Sequence, residues 1–169
     1  MNTLTLMVGV SGSGKSTFAK SFAKNIDNIE YVSRDEIRFK LLEAEGESQY
    51  FGVEKRVFKE FVIRIIKGLK EGKHVIADAT HLTPSSRLKL LKALNMKPDV
   101  LQALVMDTPL NVCLERNSQR KGLARVPDEV IRNMYDSFIP VTHKEGKFIY
   151  DLIMVKQIEE PLHFSYYEY

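Results

Sequence analysis

One cysteine in 169 residues leaves no partner for an internal disulfide, and such a chain suits a reducing compartment. That residue, Cys113, lies in an apolar helical stretch, which predicts packing rather than chemistry. No apolar run approaches the roughly 18 residues of a membrane span. Met1-Asn2-Thr3 does not begin a secretory leader, so the expectation is a cytoplasmic protein with no membrane partner. The four histidines, His74, His81, His143 and His163, show no metal-ligand spacing. Internal repeats, low-complexity tracts and linkers are also missing. At this length that predicts a single domain, residues 1–169, with its own core.

Acidic residues are scarce in particular places. The net charge is +3, but residues 1–156 hold all 25 basic and 19 of the 22 acidic residues. The tail from about 157 to 169 adds Glu159, Glu160 and Glu168 with no Lys or Arg. Pro84–Lys97 carries Arg87, Lys89, Lys92 and Lys97 and no acid; Arg116–Val126 carries Arg116, Arg120, Lys121 and Arg125 and no acid. Such segments suit a polyanionic ligand and suit solvated helix faces equally well. The tail tyrosines, Tyr166, Tyr167 and Tyr169, are expected to pack on the domain, with an oligomer contact or a partner site as the alternatives.

What is present is concentrated near the N-terminus. Residues 9–16 read Gly-Val-Ser-Gly-Ser-Gly-Lys-Ser, a complete G-x-x-x-x-G-K-[ST] loop. It follows the apolar run Leu4-Thr5-Leu6-Met7-Val8 and precedes a helical stretch with Phe18 and Phe22 four apart. Strand, glycine loop and helix form a phosphate site. Gly9, Gly12 and Gly14 let backbone N–H groups turn toward an anion, and the helix N-terminus at Ser16 and Thr17 adds its positive dipole end. Ser11 and Ser13 belong to the same cradle, Lys15 reaches the β- and γ-phosphates, and the Ser16 hydroxyl ligates Mg²⁺. The loop predicts binding of ATP or another nucleoside triphosphate with Mg²⁺.

Strand and helix patterns alternate through the rest of the chain. Strands are expected at 29–33, 74–78, 100–106 and 149–155. Helices are expected at about 35–43, 53–70, 84–94, 109–120 and 128–138, with a polar connection at 46–52. The strongest helical stripe is Val57, Phe58, Phe61, Val62, Ile65, Ile66 and Leu69. This alternation predicts an α/β three-layer fold, a five-stranded, mostly parallel sheet with helices on both faces. Ligands of such sheets gather at the carboxyl ends of the strands. Residues 9–16, Asp35 and Asp78 all fall there, so one pocket can collect them.

Asp35 and Arg38 are three apart at a helix start and can face one side. Asp35 is either a helix-terminal acid or a carboxylate able to accept a proton from an attacking hydroxyl, with Arg38 on a phosphate of donor or acceptor. Asp78 ends an apolar strand, as an acid supporting Mg²⁺ or as a helix cap. Thr80 and His81 follow it and can line an acceptor site, His81 as a polar pocket or surface residue. Arg116 and Arg120 are four apart, and Gly122 opens a segment running to about 127. An arginine-bearing lid over 116–127, closing on the nucleotide, would neutralise charge and exclude water.

Together these segments resemble the polynucleotide 5′-hydroxyl kinase family, P-loop kinases that phosphorylate the 5′ ends of DNA and RNA. The resemblance covers about residues 3–138. It rests on the phosphate loop, Ser33-Arg-Asp-Glu-Ile-Arg38, Asp78-Ala-Thr80 and Glu115-Arg-Asn-Ser-Gln-Arg120, the last joined to Val126-Pro-Asp-Glu-Val-Ile-Arg132. It is closest to phage and bacterial RNA-repair members. The resemblance implies that Lys15 and Ser16 serve ATP and Mg²⁺ and that Asp35 is the general base for a 5′-OH nucleic-acid end. It further implies Arg38 at the reacting end, Asp78 on the acceptor side, Arg120 as the lid arginine on the donor phosphates, and Arg116 and Arg125 as further donor contacts. It is compatible with a phage-encoded protein acting in a host cytoplasm. Relatives commonly carry an asparagine shortly after the third-strand aspartate, where this chain has His81. No Asp-x-Asp-x-[Thr/Val] phosphatase signature occurs, so phosphatase or ligase chemistry is expected on separate proteins. The alternatives are a small-molecule kinase of the same superfamily, acting on a sugar, nucleoside, antibiotic or toxin, and a nucleotide-binding module without chemistry.

Overall fold

The computed structural model describes residues 1–45 and 52–156. Within them the order is β1 (Thr3–Val8), α1 (Lys15–Ala23), β2 (Ile29–Ser33), α2 (Arg34–Glu45), α3 (Glu54–Lys70), β3 (His74–Asp78), α4 (Pro84–Leu94) and β4 (Val100–Asp107). There follow α5 (Leu110–Ser118), α6 (Asp128–Asp136), β5 (Lys144–Glu145), β6 (Phe148–Ile149) and β7 (Asp151–Lys156). Five strands form one sheet in the order β2-β3-β1-β4-β7, every pair parallel. β1 lies at its centre, which explains why it is an almost unbroken apolar run.

Alternation along β1 divides the core between the two faces. Leu4, Leu6 and Val8 pack with Ile37 and Leu42 of α2, Val57, Phe61, Ile65 and Leu69 of α3, and Leu90, Leu91 and Leu94 of α4. Met7 points the other way, to Ala19 of α1 with Ile76, Leu104, Met106 and Val155. Each of the Val, Leu, Ile, Phe and Met side chains among them contributes about 1.5–3 kcal/mol on full burial, so both helix layers are held by the sheet. A third cluster of Val10, Leu82, Cys113 and Ile131 joins α5 and α6 to the loop end of the sheet. Cys113 is fully buried, as its apolar setting predicts.

The expected α/β three-layer architecture is the observed one, and the α3 stripe buries Val57, Phe61, Val62, Ile65 and Leu69. At the start of α4, Thr83 and Ser86 exchange side-chain and backbone hydrogen bonds at 3.2 Å each way, and Pro84 occupies the first turn.

Three boundaries differ from expectation. The helix expected to run to Arg120 stops at Ser118, because the buried Asn117 side chain donates to the Val126 carbonyl at 2.6 Å and accepts from its N–H at 3.0 Å. The chain must leave the helix to return beside it. The helix expected to reach Phe138 ends at Asp136. The single strand expected over 149–155 is two strands. Phe148–Ile149 pairs antiparallel with Lys144–Glu145, and only 151–156 joins the sheet. The chain turns at Tyr150, whose N–H binds the His143 carbonyl at 2.8 Å and whose hydroxyl donates to Glu145 at 3.2 Å. Most of the 46–52 connection, and the tyrosines of the tail, lie outside the described residues. Among the described residues no helix is long and apolar enough to cross a membrane.

Candidate active site

Strand register brings the functional segments together. Met7 of β1 and Ser33 of β2 both pair with Asp78 of β3, so the chain leaves three neighbouring strands on one side of the sheet. Above these ends lies a cavity of about 550 Å³. Its lining includes Ser11, Gly12, Gly14, Lys15, Ser16 and Thr17 after β1, Arg34, Asp35 and Arg38 after β2, and Asp78 and Thr80 after β3. Arg120 and Arg125 close it from the 119–127 segment.

The loop is shaped by close approach. A side chain at Gly12 (φ +85°) would place its Cβ 2.3 Å from the Cys113 carbonyl oxygen, so only glycine lets α5 press against the loop. The Gly9 N–H binds the Thr80 carbonyl at 3.0 Å, tying the loop to the turn after β3. Thr108 Oγ1 donates to the Ser13 carbonyl at 2.9 Å, and Arg116 Nη1 lies 3.5 Å from the same oxygen. Lys15 Nζ donates to the Val10 carbonyl at 2.8 Å inside the curve of the loop. Burial lowers its pKa, an effect opposed by the charges of Asp78 and Asp35.

On one flank, Ser16 Oγ and Tyr31 Oη both donate to Asp78 Oδ2, each at 2.6 Å. Tyr31 holds its proton more tightly than a free phenol, first through burial and then through the Asp78 charge. A hydroxyl beside a buried carboxylate is the oxygen set a hard divalent cation takes. Among the described residues no group of three His, Cys, Asp or Glu could bind a metal unaided.

On the other flank, Asp35 sits in the first turn of α2 with its side chain about 69% exposed, so its carboxylate is open to a ligand. Arg38 bonds it one turn later and is itself nearly covered. Behind Arg38 stands Glu54, the first residue of α3. Its carboxylate accepts from Arg38 Nε at 2.5 Å and from Arg34 Nη2 at 3.0 Å. Burial raises the pKa of Glu54, but hydrogen bonding and charge from Arg38 and Arg34 outweigh that and leave it below the usual carboxylate range. In the 119–127 segment, Arg120 Nη1 reaches Ser11 Oγ at 3.3 Å.

The profile of the AAA domain family matches residues 4–141. The chain belongs to that family. Within it the chain is a P-loop kinase domain, and its relatives are kinases. It is 34% identical over 145 residues to the L-seryl-tRNA(Sec) kinase of Methanococcus maripaludis, covering 80% of this chain and 52% of that protein. It is 27% identical over 154 residues to a protein of Autographa californica nuclear polyhedrosis virus described as a bifunctional polynucleotide kinase/RNA ligase, covering 84% of this chain and 22% of that one. Among solved structures it resembles a chain of the Pnkp1/Rnl/Hen1 RNA repair complex, with a TM-score of 0.64, 26% identity, and coverage of 86% of this chain and 50% of that chain. The chain thus spans about half the length of the first relative and about a fifth of the second.

In this kinase domain most of the residues picked from the sequence meet in one cavity, but not all. His81 does not line it. Its ring is 6% exposed, Nδ1 meets the Met7 carbonyl at 2.9 Å, and burial lowers its pKa to about 4. The backbone there is left-handed at φ +46°, so the residue supports the turn after β3 from behind. Gly9, Ser13 and Arg116 shape the loop from outside the cavity wall.

Three further residues carry no signal in the sequence: Arg34, which lines the cavity, and Glu54 and Tyr31, which back its walls through Arg38 and Asp78. Glu54 reads in sequence as an ordinary first-turn acid, and no local pattern links it to Arg38. Arg34 lies inside Ser33-Arg-Asp-Glu-Ile-Arg38 but has no distinctive spacing. Tyr31 becomes legible only with the strand order, since pairing of Ser33 with Asp78 puts Tyr31 diagonally beside that aspartate. The basic segment 84–97 is also not uniform. Arg87 is completely buried and bound to Glu145.

Proposed function

We propose that this P-loop kinase domain transfers the γ-phosphate of ATP to the 5′-hydroxyl end of DNA or RNA. The observation that carries the reading is the placement of Asp35 and Arg38, backed by Glu54, across one cavity from the Lys15 loop and Arg120. The cavity thereby has a donor half and an acceptor half. The RNA repair complex chain and the viral polynucleotide kinase/RNA ligase among its relatives support a polynucleotide acceptor.

In this reading the acceptor hydroxyl sits on Asp35, which takes its proton as the oxygen attacks the γ-phosphorus. The bond from that phosphorus to the β,γ-bridging oxygen breaks, and ADP leaves. Arg38 steers the acceptor, its guanidinium fixed from behind by Glu54. Lys15 and Arg120 place positive charge on the phosphates, and the closed 119–127 segment excludes water. The Ser16 hydroxyl and the Asp78 carboxylate fit Mg²⁺, Asp78 through water. When bound with the nucleotide, that ion supplies further charge neutralisation. Arg125 lies within reach of the donor, and Thr80 lines the acceptor half. In this reading Asp78 serves the metal side instead of the acceptor side that the family resemblance implies, and Asp35, Arg38 and Thr80 form the acceptor side.

One observation favours a second reading. Identity to the seryl-tRNA kinase, 34%, exceeds that to the viral protein, 27%, which suits a primary hydroxyl on an aminoacyl group or small molecule. Transfer from γ-labelled ATP to 5′-OH DNA, 5′-OH RNA, seryl-tRNA, and a panel of sugars and nucleosides tests both. The proposal expects labelled oligonucleotides. Label on seryl-tRNA or small molecules alone overturns it.

A further inference from the structure

Arg34 and Lys89 come from elements far apart in the chain yet share one aromatic ring. The Arg34 guanidinium carbon lies 5.9 Å from the centroid of Phe58, and Lys89 Nζ lies 5.0 Å from it. Phe58 is half-buried on α3, one turn beyond Glu54, and packs against the core, so the ring is fixed. Arg34 lines the acceptor half of the cavity; Lys89 is exposed on α4. The pair therefore leads outward from the cavity on the Asp35 side.

The kind of bracket matters. A carboxylate that positions a lysine also neutralises it, whereas an aromatic face attracts the cation through its quadrupole and leaves the charge available. Among the described residues Lys89 makes no ion pair with a carboxylate. Arg34 is ion-paired to Glu54 through one amino nitrogen, so Lys89 is the cation of the two whose charge the bracket leaves free. An acceptor of one nucleotide ends inside the cavity and has no use for a fixed cation outside. A polynucleotide continues outward with a phosphate at each step.

We propose that Arg34 and Lys89, held by Phe58, form the track for the second and following phosphates of a polynucleotide acceptor. The proposal rests on the kinase reading above and adds that the part of the acceptor beyond its first nucleotide contributes to binding. A phosphate on Lys89 displaces condensed counterions, so its contribution must appear as salt dependence.

The test measures kcat/KM for a nucleoside 3′-monophosphate and a 5′-OH hexanucleotide over a salt series, with the wild type, Lys89→Ala and Lys89→Arg. Lys89→Ala should lower the hexanucleotide value two- to fivefold more than the mononucleotide value, the size of an exposed ion pair. It should also flatten the log–log salt slope for the hexanucleotide by about 0.7, one single-strand phosphate contact. Lys89→Arg should restore both. Equal effects on the two acceptors, or an unchanged slope, overturn the track. A wild type that phosphorylates mononucleotides or sugars and no oligonucleotide overturns the polynucleotide reading itself, a result visible without any variant.

Discussion

Glu54 Oε1 accepts the Nε proton of Arg38 at 2.5 Å across 16 residues of chain, and this contact gives Arg38 one orientation. Bonded to Glu54 on one edge and to Asp35 at Nη1, the guanidinium is held between the two carboxylates. If Glu54 is neutralised, Arg38 falls fully under the influence of Asp35, and under the proposed function the acceptor would lose its guide. Glu54→Gln should lower phosphoryl transfer by about tenfold, or about 1.4 kcal/mol in the barrier. The Kd for ATP should stay within about twofold. Stopped assays with nucleotide titrations measure both, and an unchanged kcat/KM contradicts the role.

The same pair has an acid limit. The Glu54 carboxyl is depressed in the folded chain, so its contribution to stability is complete above the unfolded carboxyl range near pH 4.3 and disappears as pH falls through the lower folded value. The wild type should therefore be more stable than Glu54→Gln at pH 7, and the gap should close below about pH 4. Thermal melts across that range check the sign.

Tyr31→Phe removes one of two hydroxyl donors on Asp78 Oδ2 while keeping the ring. A hydrogen bond to a charged group is worth about 1.5–3 kcal/mol. The variant should need roughly tenfold more Mg²⁺ for half-maximal nucleotide binding. Titration of ATP affinity against Mg²⁺ reads this directly, and superimposable curves would remove Tyr31 from the site.

The α/β alternation, the loop and the meeting of Asp35, Arg38 and Asp78 were legible because each is local. The period of the apolar residues and the strand-end rule suffice for them. Glu54, Tyr31 and the Arg87–Glu145 pair were not legible, because each depends on which distant elements become neighbours. Strand order β2-β3-β1 brings Tyr31 to Asp78. Packing of α3 on α2 brings Glu54 to Arg38. The β5–β6 hairpin, with two residues in each strand, is too short to show a period. His81 is buried and is neither the pocket nor the surface residue that the sequence suggests, because a polar side chain after a strand-end acid gives no sign of which way it turns.

Arg87 and Glu145 are buried together, their side chains 0% and 5% exposed. Arg87 also donates to the His81 carbonyl at 2.8 Å, and Tyr150 Oη donates to Glu145. Removing one charge strands the other, so Arg87→Met should cost about 3–5 kcal/mol. The double variant Arg87→Met/Glu145→Leu should recover a large part of that. Urea unfolding at pH 7 measures both. A single-variant cost below about 1 kcal/mol contradicts the network.

His81 is held neutral, its pKa lowered to about 4 by burial. A depressed histidine favours the fold above its unfolded value near pH 6.5, and that contribution falls away as the pH drops toward about 4. His81→Asn keeps a residue that tolerates φ +46° and has no ring to protonate. The wild type should lose stability relative to this variant between about pH 6 and pH 4, at up to about 1.4 kcal/mol per pH unit. Parallel lines for the two proteins over that range would contradict it.

The proposed transfer depends most on Asp35 taking the proton from a 5′-hydroxyl on the acceptor side of the ATP site. Single-turnover transfer from γ-labelled ATP to a 5′-OH oligonucleotide, wild type against Asp35→Asn, tests it most directly. Asp35→Asn should lose about 10²–10⁴-fold in the transfer step while retaining ATP affinity. Transfer at the wild-type rate by Asp35→Asn would contradict it.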